Sequence, residues 1–143
     1  MNVLFLTLLY PEETKAQTAA ASRDGLQNQI DNYQRAFVRG IRENLREGES
    51  LDIVNSLPVG VFPFRYRKLW LHGGQRNENI RELSGLNLPW FKQKFREWGA
   101  EREILRWVKQ SPENRTLLVY TLYEPYMKAI RRVKRRCPEL RAA

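Results

Sequence analysis

The chain has 143 residues, of which 42% are hydrophobic and 29% charged, and its formal net charge is +9 at pH 7. This size and composition indicate one globular domain and exclude both disorder and two complete domains. No apolar run reaches the roughly 20 residues that span a bilayer, and a single cysteine, Cys137, excludes an intramolecular disulfide framework. The basic excess favours an anionic partner, which includes nucleic acid, a phosphorylated substrate or a membrane surface.

The N-terminal segment predicts a strand, a loop and a helix. The run NVLFLTLL at 2–9 has the length and apolar character of a strand buried on both faces. Small, polar residues at 10–25 predict an unpacked loop, and it is the first candidate binding site because Rossmann-like folds bind ligands beyond the carboxyl ends of their strands. An amphipathic helix is expected from near Gly25, with Asp31 and Arg35 as an i,i+4 pair on its solvent face. Its inward stripe is Leu26, Ile30, Tyr33, Phe37, Ile41 and Leu45.

The middle of the chain predicts short strands separated by irregular structure. A second buried strand is expected at 51–55. The prolines and glycine of SLPVGVFPF at 56–64 exclude regular structure there. Shorter strands are expected at 69–72 and near 79–83, with a Gly-Gly turn between them.

The C-terminal half predicts three helices and one strong strand. One helix is expected from about residue 89, with Phe91, Phe95 and Trp98 on one face, and a second at about 100–110. The run TLLVYTL at 116–122 predicts a buried strand, and Glu124-Pro125 begins the last helix, since proline is favoured in a first turn. The element order predicts an α/β fold with a mainly parallel sheet flanked by helices. The sheet looks unfinished, because no strand is predicted after the last helix.

Few residues carry a recognisable chemical motif. One histidine and one cysteine cannot supply a zinc site, so no metal is expected. No glycine-rich phosphate loop follows either strong strand, which disfavours a nucleotide bound in that way. Tyr123 follows the 116–122 strand, where α/β sheets place ligand contacts, and it is a candidate site residue. No catalytic residue is predicted.

The last helix carries a cluster of cations, here called the basic patch. Its members are Lys128, Arg131, Arg132, Lys134, Arg135 and Arg136. A patch of this kind binds nucleic-acid phosphates or anionic lipid headgroups, or it is simply a solvated face. Nucleic acid is disfavoured because the aromatic residues of this helix face inward and do not form a stacking platform.

Five segments, in order, resemble the N-terminal half of GT-B glycosyltransferases of the family 4 type found in bacterial polysaccharide biosynthesis. They are NVLFLTLLYPEE, GLQNQIDNYQRAFVRGI, VNSLPVGVFPFRYRKLW, ELSGLNLPWFKQ and VYTLYEPYMKAI. The resemblance covers essentially the whole chain and implies that 1–143 is a single, partial Rossmann-like domain, an incomplete GT-B N-terminal domain. In such enzymes this domain receives the acceptor, and a C-terminal domain binds the nucleotide-sugar donor. Transfer proceeds with retention and without a metal.

The resemblance also implies site residues. Gly25 corresponds to a glycine at the start of the first helix, where a small residue lets a ligand approach the backbone. Gln27 and Asn28 are the neighbouring polar contacts. Tyr123 stands where many relatives carry a histidine that faces the sugar. This departure calls a histidine-dependent role into question, although tyrosine can still donate a hydrogen bond.

The implied partners are a sugar or lipid-linked acceptor, an anionic membrane surface at 128–136, and a C-terminal GT-B domain supplied in trans. No cofactor is expected on this chain, and the nucleotide-sugar donor belongs to the full-length enzyme. The expected location is the cytoplasm, with the chain peripheral on the inner face of the membrane. Two other functions stay open, namely a small basic nucleic-acid-binding protein and a peripheral membrane or interaction module without chemistry.

Overall fold

A computed structural model of the protein describes residues 1–77, 79–111 and 113–143. It shows an α/β fold with a mostly parallel, mixed sheet flanked by helices. The elements in chain order are β1 (Asn2–Thr7), a 3-10 turn (Glu12–Thr14), α1 (Lys15–Ala21), α2 (Asn28–Asn44), β2 (Ser50–Asn55), β3 (Trp70–Leu71), β4 (Gly74–Asn77), β5 (Ile80–Glu82), β6 (Gly85–Leu86), α3 (Phe91–Gln110), β7 (Arg115–Val119), α4 (Glu124–Arg136) and β8 (Arg141–Ala142).

The six-stranded sheet has the order β4-β5-β2-β1-β7-β8, and β3 pairs with β6 in a separate ribbon. Within the sheet, β5, β2, β1, β7 and β8 are parallel, while β4 is antiparallel to β5. The chain builds outward from β1 through β2 and β5, then returns to the other side of β1 with β7. This order is compatible with a Rossmann-like sheet, whose ligand crevice opens where the order reverses, here between β1 and β7.

β1 lies in the middle of the sheet and is covered on both faces. Val3 and Phe5 pack towards α2 in one apolar cluster, and Leu4 and Leu6 pack towards α3 and α4 in another. Burial on both faces explains why this strand is almost continuously apolar and does not alternate apolar with polar residues.

The segment after β1 corrects one prediction. The sequence predicts an unpacked loop at 10–25, but the segment contains the 3-10 turn and α1, and Tyr10, Thr18 and Ala21 are buried. Tyr10 belongs to a third apolar cluster that includes Val59 from the irregular segment after β2. The small residues of α1 form a packed helix because alanine has the highest helix propensity and allows close approach.

α2 contacts the rest of the fold partly through its predicted apolar stripe and partly through neighbouring residues that the spacing does not predict. Of the stripe, Leu26, Ile41 and Leu45 are half-buried against apolar clusters, and the ring of Phe37 lies 5.4 Å from that of Phe5. Its buried residues are Asp31, Gln34 and Val38. Asp31, predicted on the solvent face, is fully buried, although its predicted pair with Arg35 is present. Three members of the predicted inward stripe are largely exposed, namely Ile30 at 40%, Tyr33 at 60% and Phe37 at 45%.

The physical reason is that the backbone at 8–10, just past β1, needs hydrogen-bond partners that only polar side chains can supply. Gln34 accepts from the N–H of Leu8 at 2.9 Å and donates to its carbonyl at 2.9 Å. Asn55 pairs with Leu9 in the same way: it accepts from the N–H of Leu9 at 2.6 Å and donates to its carbonyl at 2.9 Å. Asp31 accepts from the N–H of Tyr10 at 2.8 Å. An unpaired buried N–H or C=O costs roughly 1–3 kcal/mol, so the bonds from Asp31 and Gln34 rotate α2 towards the exit of β1 and leave part of its apolar stripe exposed.

The C-terminal half differs from prediction in four places. The strand predicted at 116–122 is β7, which ends at Val119 and is fully buried only at Leu117. The two predicted helices form the single helix α3. Gly99 lies where they would have been separated, but a glycine inside a helix destabilises it by only about 1 kcal/mol. Phe91 and Trp98 are more than half exposed, and polar residues including Arg96 take buried positions. The final residues form β8, which pairs in parallel with β7, where the sequence predicts no strand. No helix in the described ranges is long and apolar enough to cross a bilayer.

Replacing the buried carboxylate at 31 should unfold the protein more readily than replacing an exposed one. Asp31 accepts hydrogen bonds from Arg35 Nε at 2.7 Å and from Lys15 Nζ at 3.4 Å. We expect Asp31→Ala to lower the free energy of unfolding by about 3 kcal/mol, because it leaves the buried N–H of Tyr10 without an acceptor and removes the ion pairs with Arg35 and Lys15. Urea denaturation at neutral pH measures this change.

The matched control is Asp24→Ala, which removes a carboxylate that is 65% exposed and pairs with Arg65 at 3.5 Å. It should change stability by less than about 0.5 kcal/mol. Burial alone would raise the pKa of Asp31, but hydrogen bonds from Arg35 and the Tyr10 N–H hold that pKa below its ordinary value. The stability that Asp31 contributes is therefore present above about pH 4 and is lost as the pH falls through the folded-state pKa. Equal effects of the two substitutions at neutral pH would contradict this account.

Candidate functional site

A cavity of about 330 Å³, here called the edge cavity, lies at the carboxyl edge of the sheet between the exits of β1 and β7. Its wall combines the segment after β1, the irregular segment after β2, the first turns of α3 and the residue before α4. The volume is at the lower end of the about 300–1,000 Å³ typical of small-molecule sites. A neighbouring hollow of about 330 Å³, which includes Leu122, shares part of this wall.

The structure brings together three of the four predicted acceptor contacts. Gly25, Gln27 and Tyr123 all line the edge cavity, although they come from opposite halves of the chain. Asn28, the first residue of α2, is exposed outside the wall. The helix begins three residues later than expected, so Gly25 lies in the turn before it and not in the helix itself.

Gly25 has a backbone conformation that suits glycine. Its φ is +74°, in the left-handed region that side chains with a Cβ rarely adopt. A Cβ built at this position would meet no atom within 4 Å, so the space beside it is open. The backbone at Gly25 is therefore accessible to a ligand in the edge cavity.

Two glycine substitutions should have opposite effects on stability. Gly25→Ala should lower the free energy of unfolding by about 1 kcal/mol, because alanine is strained in the left-handed region. Gly40→Ala should raise it by about 0.5–1 kcal/mol, because Gly40 lies inside α2 with open space around it. Thermal or urea unfolding of both variants tests this pair, and a change of the same sign in both would contradict the conformational argument.

Tyr123 has its hydroxyl engaged within the protein. It accepts a hydrogen bond from Arg96 Nη1 at 2.6 Å and donates one to Gln93 Oε1 at 2.9 Å. Its ring lies edge-on to Tyr126, with ring centroids 5.0 Å apart. Tyr126 is fully buried, and its hydroxyl donates to the carbonyl of Thr7 at 2.6 Å. Tyr123 thus helps to position Arg96 at the wall of the cavity.

Two buried cations on α3 line the edge cavity, and the sequence does not predict either of them. Lys92 is 9% exposed and Arg96 is 6% exposed. Lys92 Nζ donates to the carbonyl of Val59, and Arg96 donates to the carbonyl of Leu57. Among the described residues, no carboxylate lies within 4.0 Å of either cation. Their i,i+4 spacing is the only sequence signal, and it resembles a solvated helix face.

Burial and the neighbouring charge change the acidity of Lys92. Burial, and to a smaller extent the positive charge of Arg96, lower the pKa of Lys92 to about 7. In the unfolded chain this lysine titrates near 10.5. The unfolded state therefore binds more protons than the folded state between these two values, and the stability of the protein rises with pH across that range.

The Lys92→Met variant should remove this pH dependence. Below about pH 7 the wild type carries the full penalty of burying an ammonium group, so the variant should be more stable there. The advantage of the variant should shrink by about 2 kcal/mol between about pH 6 and about pH 9. Urea denaturation across this range measures it. Lys134→Met, at an exposed position of α4, serves as the control and should follow the wild type. A constant difference between Lys92→Met and the wild type would contradict the shifted pKa.

The structure divides the basic patch into paired and unpaired cations. Lys128 contacts Glu124 at 2.6 Å, Arg132 contacts Glu97 at 2.5 Å, and Arg136 contacts a further glutamate at 3.6 Å. In the part of the chain that the structure describes, the other three have no carboxylate within 4.0 Å. These three are Arg131, Lys134 and Arg135, and all are exposed.

No group of three or more histidine, cysteine, aspartate or glutamate residues within 1–77, 79–111 and 113–143 is arranged to hold a metal ion. His72, at the end of β3, is exposed and does not line the edge cavity. The wall of the site therefore combines hydroxyl, amide and backbone groups with two buried cations and with the exposed ion pair between Asp24 and Arg65.

Comparison with known proteins yields no relative, since no family model, no curated protein and no solved structure matches the chain.

Proposed function

We propose that this chain is the acceptor-binding domain of a retaining GT-B glycosyltransferase, which transfers a sugar from a nucleotide-sugar donor to a polysaccharide or lipid-linked acceptor. One observation carries the proposal. Gly25 and Gln27, which follow β1, and Tyr123, which follows β7, line one cavity at the carboxyl edge of the sheet. The resemblance in sequence assigns acceptor contacts to these same residues, and α/β sheets bind ligands at this edge.

The chemistry of the cavity suits a ligand rich in hydroxyl groups. The side-chain amide of Gln27 both donates and accepts, and the backbone at Gly25 is open to close approach. Tyr10 adds a hydroxyl that already donates to the carbonyl of Pro58 at 3.0 Å and accepts from the N–H of Gln27 at 3.1 Å. These bonds hold the residues of the wall in place before a ligand arrives, which lowers the ordering cost of binding.

In this proposal the domain binds and orients the acceptor, while the donor site lies outside these 143 residues. Orientation of two reactants in a cleft between domains removes much of the entropic barrier to transfer. Stabilisation of the departing nucleoside diphosphate requires cations and helix N-termini on the donor side. No residue of this chain is assigned a catalytic role.

The basic patch supports membrane docking more than nucleic-acid binding. Ion pairs engage half of its cations, which lowers the charge available to any anionic partner. Nucleic acid is the less suitable partner, because Tyr126 of α4 is buried and offers no ring on which a base could stack. The remaining three, at positions 131, 134 and 135, follow helical spacings and present a small cationic face. At about 1 kcal/mol per cation near an anionic surface, this face adds about 3 kcal/mol to attachment near a lipid-linked acceptor, as a supplement to binding of the acceptor itself.

Transfer assays with a complementing polypeptide test the proposal. The chain alone, given nucleotide-sugars and acceptors, should give no turnover, and addition of a C-terminal GT-B polypeptide should restore it. Gln27→Ala should then lower kcat/KM about tenfold, because it removes a hydrogen bond to the acceptor. Gln29→Ala, at an exposed position of α2 outside the cavity, should leave kcat/KM unchanged. Turnover by the chain alone, or equal effects of the two substitutions, would refute the proposal.

A further inference from the structure

The two buried cations of the edge cavity pose an energetic problem that the neutral acceptor contacts do not solve. Buried charges in proteins are ordinarily paired, because removal from water costs several kcal/mol per ion. Lys92 and Arg96 have only neutral partners among the described residues, namely two backbone carbonyls and the hydroxyl of Tyr123. Spaced four residues apart on α3, they also lie on the same helix face and repel each other.

Both cations keep hydrogen-bond donors to spare. An ammonium group has three N–H donors, and Lys92 uses one of them on the carbonyl of Val59. A guanidinium has five, and Arg96 uses two, on Leu57 and Tyr123. Both residues line the cavity, so a ligand there lies beside the remaining donors. The carboxylate of Asp24 also lines the cavity, but it pairs with Arg65 at 3.5 Å and lies beyond 4.0 Å of both buried cations. The hydrogen bond from Arg96 to Tyr123 fixes the guanidinium, so less side-chain entropy is lost on binding.

We propose that the edge cavity binds the phosphoryl group of a phosphorylated sugar or polyol, held by Lys92 and Arg96. A phosphate monoester carries nearly two negative charges at neutral pH and so balances Arg96 and the protonated form of Lys92, which its binding favours, whereas a carboxylate balances one charge. Its three terminal oxygens match the spare donors, and guanidinium groups form forked hydrogen bonds to phosphate. The cavity, at about 330 Å³, is small enough that a single phosphorylated ring would fill much of it.

This inference names the class of acceptor in the proposed function and rests on that function for its biological meaning. The phosphate binding itself can be measured without any sugar transfer. Soluble sugar phosphates and phosphorylated lipid headgroups share the same chemistry, and the experiment has an arm for each source.

Isothermal titration calorimetry of the full chain tests the soluble source with four probes: inorganic phosphate, glucose 6-phosphate, glucose and glucuronate. We expect glucose 6-phosphate to bind at least about tenfold more tightly than glucose or glucuronate. Lys92→Met should weaken this binding at least about tenfold, although the variant is expected to be more stable than the wild type near neutral pH. Loss of binding in that variant therefore cannot be ascribed to unfolding.

The matched control is Lys134→Met, which removes the same charge from an exposed position on the basic patch and should leave the affinity unchanged. Arg96→Lys serves as the second variant, since it keeps the charge but loses the forked geometry. It should bind glucose 6-phosphate with an affinity between those of Lys92→Met and the wild type.

Vesicle co-sedimentation tests the lipid source, with phosphatidylcholine alone or mixed with phosphatidylinositol phosphate. Binding that depends on the phosphorylated headgroup and is lost in Lys92→Met would support the inference with a lipid-linked ligand. Binding lost only when Arg131, Lys134 and Arg135 are replaced, together with no soluble phosphate binding, would overturn it. Equal affinity for glucose and glucose 6-phosphate, or tighter binding of glucuronate, would also overturn it.

The two proposals fail in distinguishable ways. If phosphate binding depends on Lys92 but the complemented transfer assay gives no turnover, this inference is supported and the proposed glycosyltransferase function is refuted. If turnover occurs with a neutral acceptor and is unaffected by Lys92→Met, the glycosyltransferase function is supported and the phosphate site is refuted.

Discussion

The fold depends on how the chain leaves its central strand. At 8–10 the backbone loses its partners in the sheet while it is still buried, and three polar side chains from two elements replace them. Two of these, Asp31 and Gln34, come from α2, and the third, Asn55, ends β2. The same hydrogen bonds therefore orient α2, set the exit of β1 and hold one wall of the edge cavity. An apolar substitute at any of the three positions would leave buried N–H or C=O groups without partners.

Asn55 links the hydrogen bonds at 8–10 to the rest of the carboxyl edge of the sheet. Besides its bonds to Leu9, its amide donates to the carboxylate of Glu82 at 2.9 Å, at the end of β5. Burial raises the pKa of Glu82, and the hydrogen bond from Asn55 opposes that rise. Tyr126 of α4 reaches the same edge through the carbonyl of Thr7. Hydrogen bonds thus connect the carboxyl edge from β5 to α4, and the candidate site is built on this rigid part of the fold.

The candidate site combines this rigid support with two buried cations, Lys92 and Arg96, whose charges are not balanced by a carboxylate within 4.0 Å in the described residues. The other buried charged side chains in the described residues, Asp31, Glu97 and Glu103, all form ion pairs, as Glu97 does with Arg132 at 2.5 Å. Lys92 and Arg96 lack such partners in the described ranges, although they are more deeply buried than Arg132. Proteins keep destabilising arrangements of this kind where function needs them, because a bound ligand supplies the missing interaction. A stable, empty pocket would more simply have been lined by apolar residues.

The sequence by itself determined the α/β class, the two strong central strands and the helix that begins at Glu124, because long apolar runs and a first-turn proline act locally. It also placed Gly25, Gln27 and Tyr123 near strand ends, where a parallel sheet gathers them. Only the tertiary structure decided that Asp31 and Gln34 of α2 are buried, that the helix α1 forms within 10–25, and that β8 extends the sheet. It alone revealed Lys92 and Arg96, since burial of a cation on a polar helix depends on what packs over it and not on its spacing.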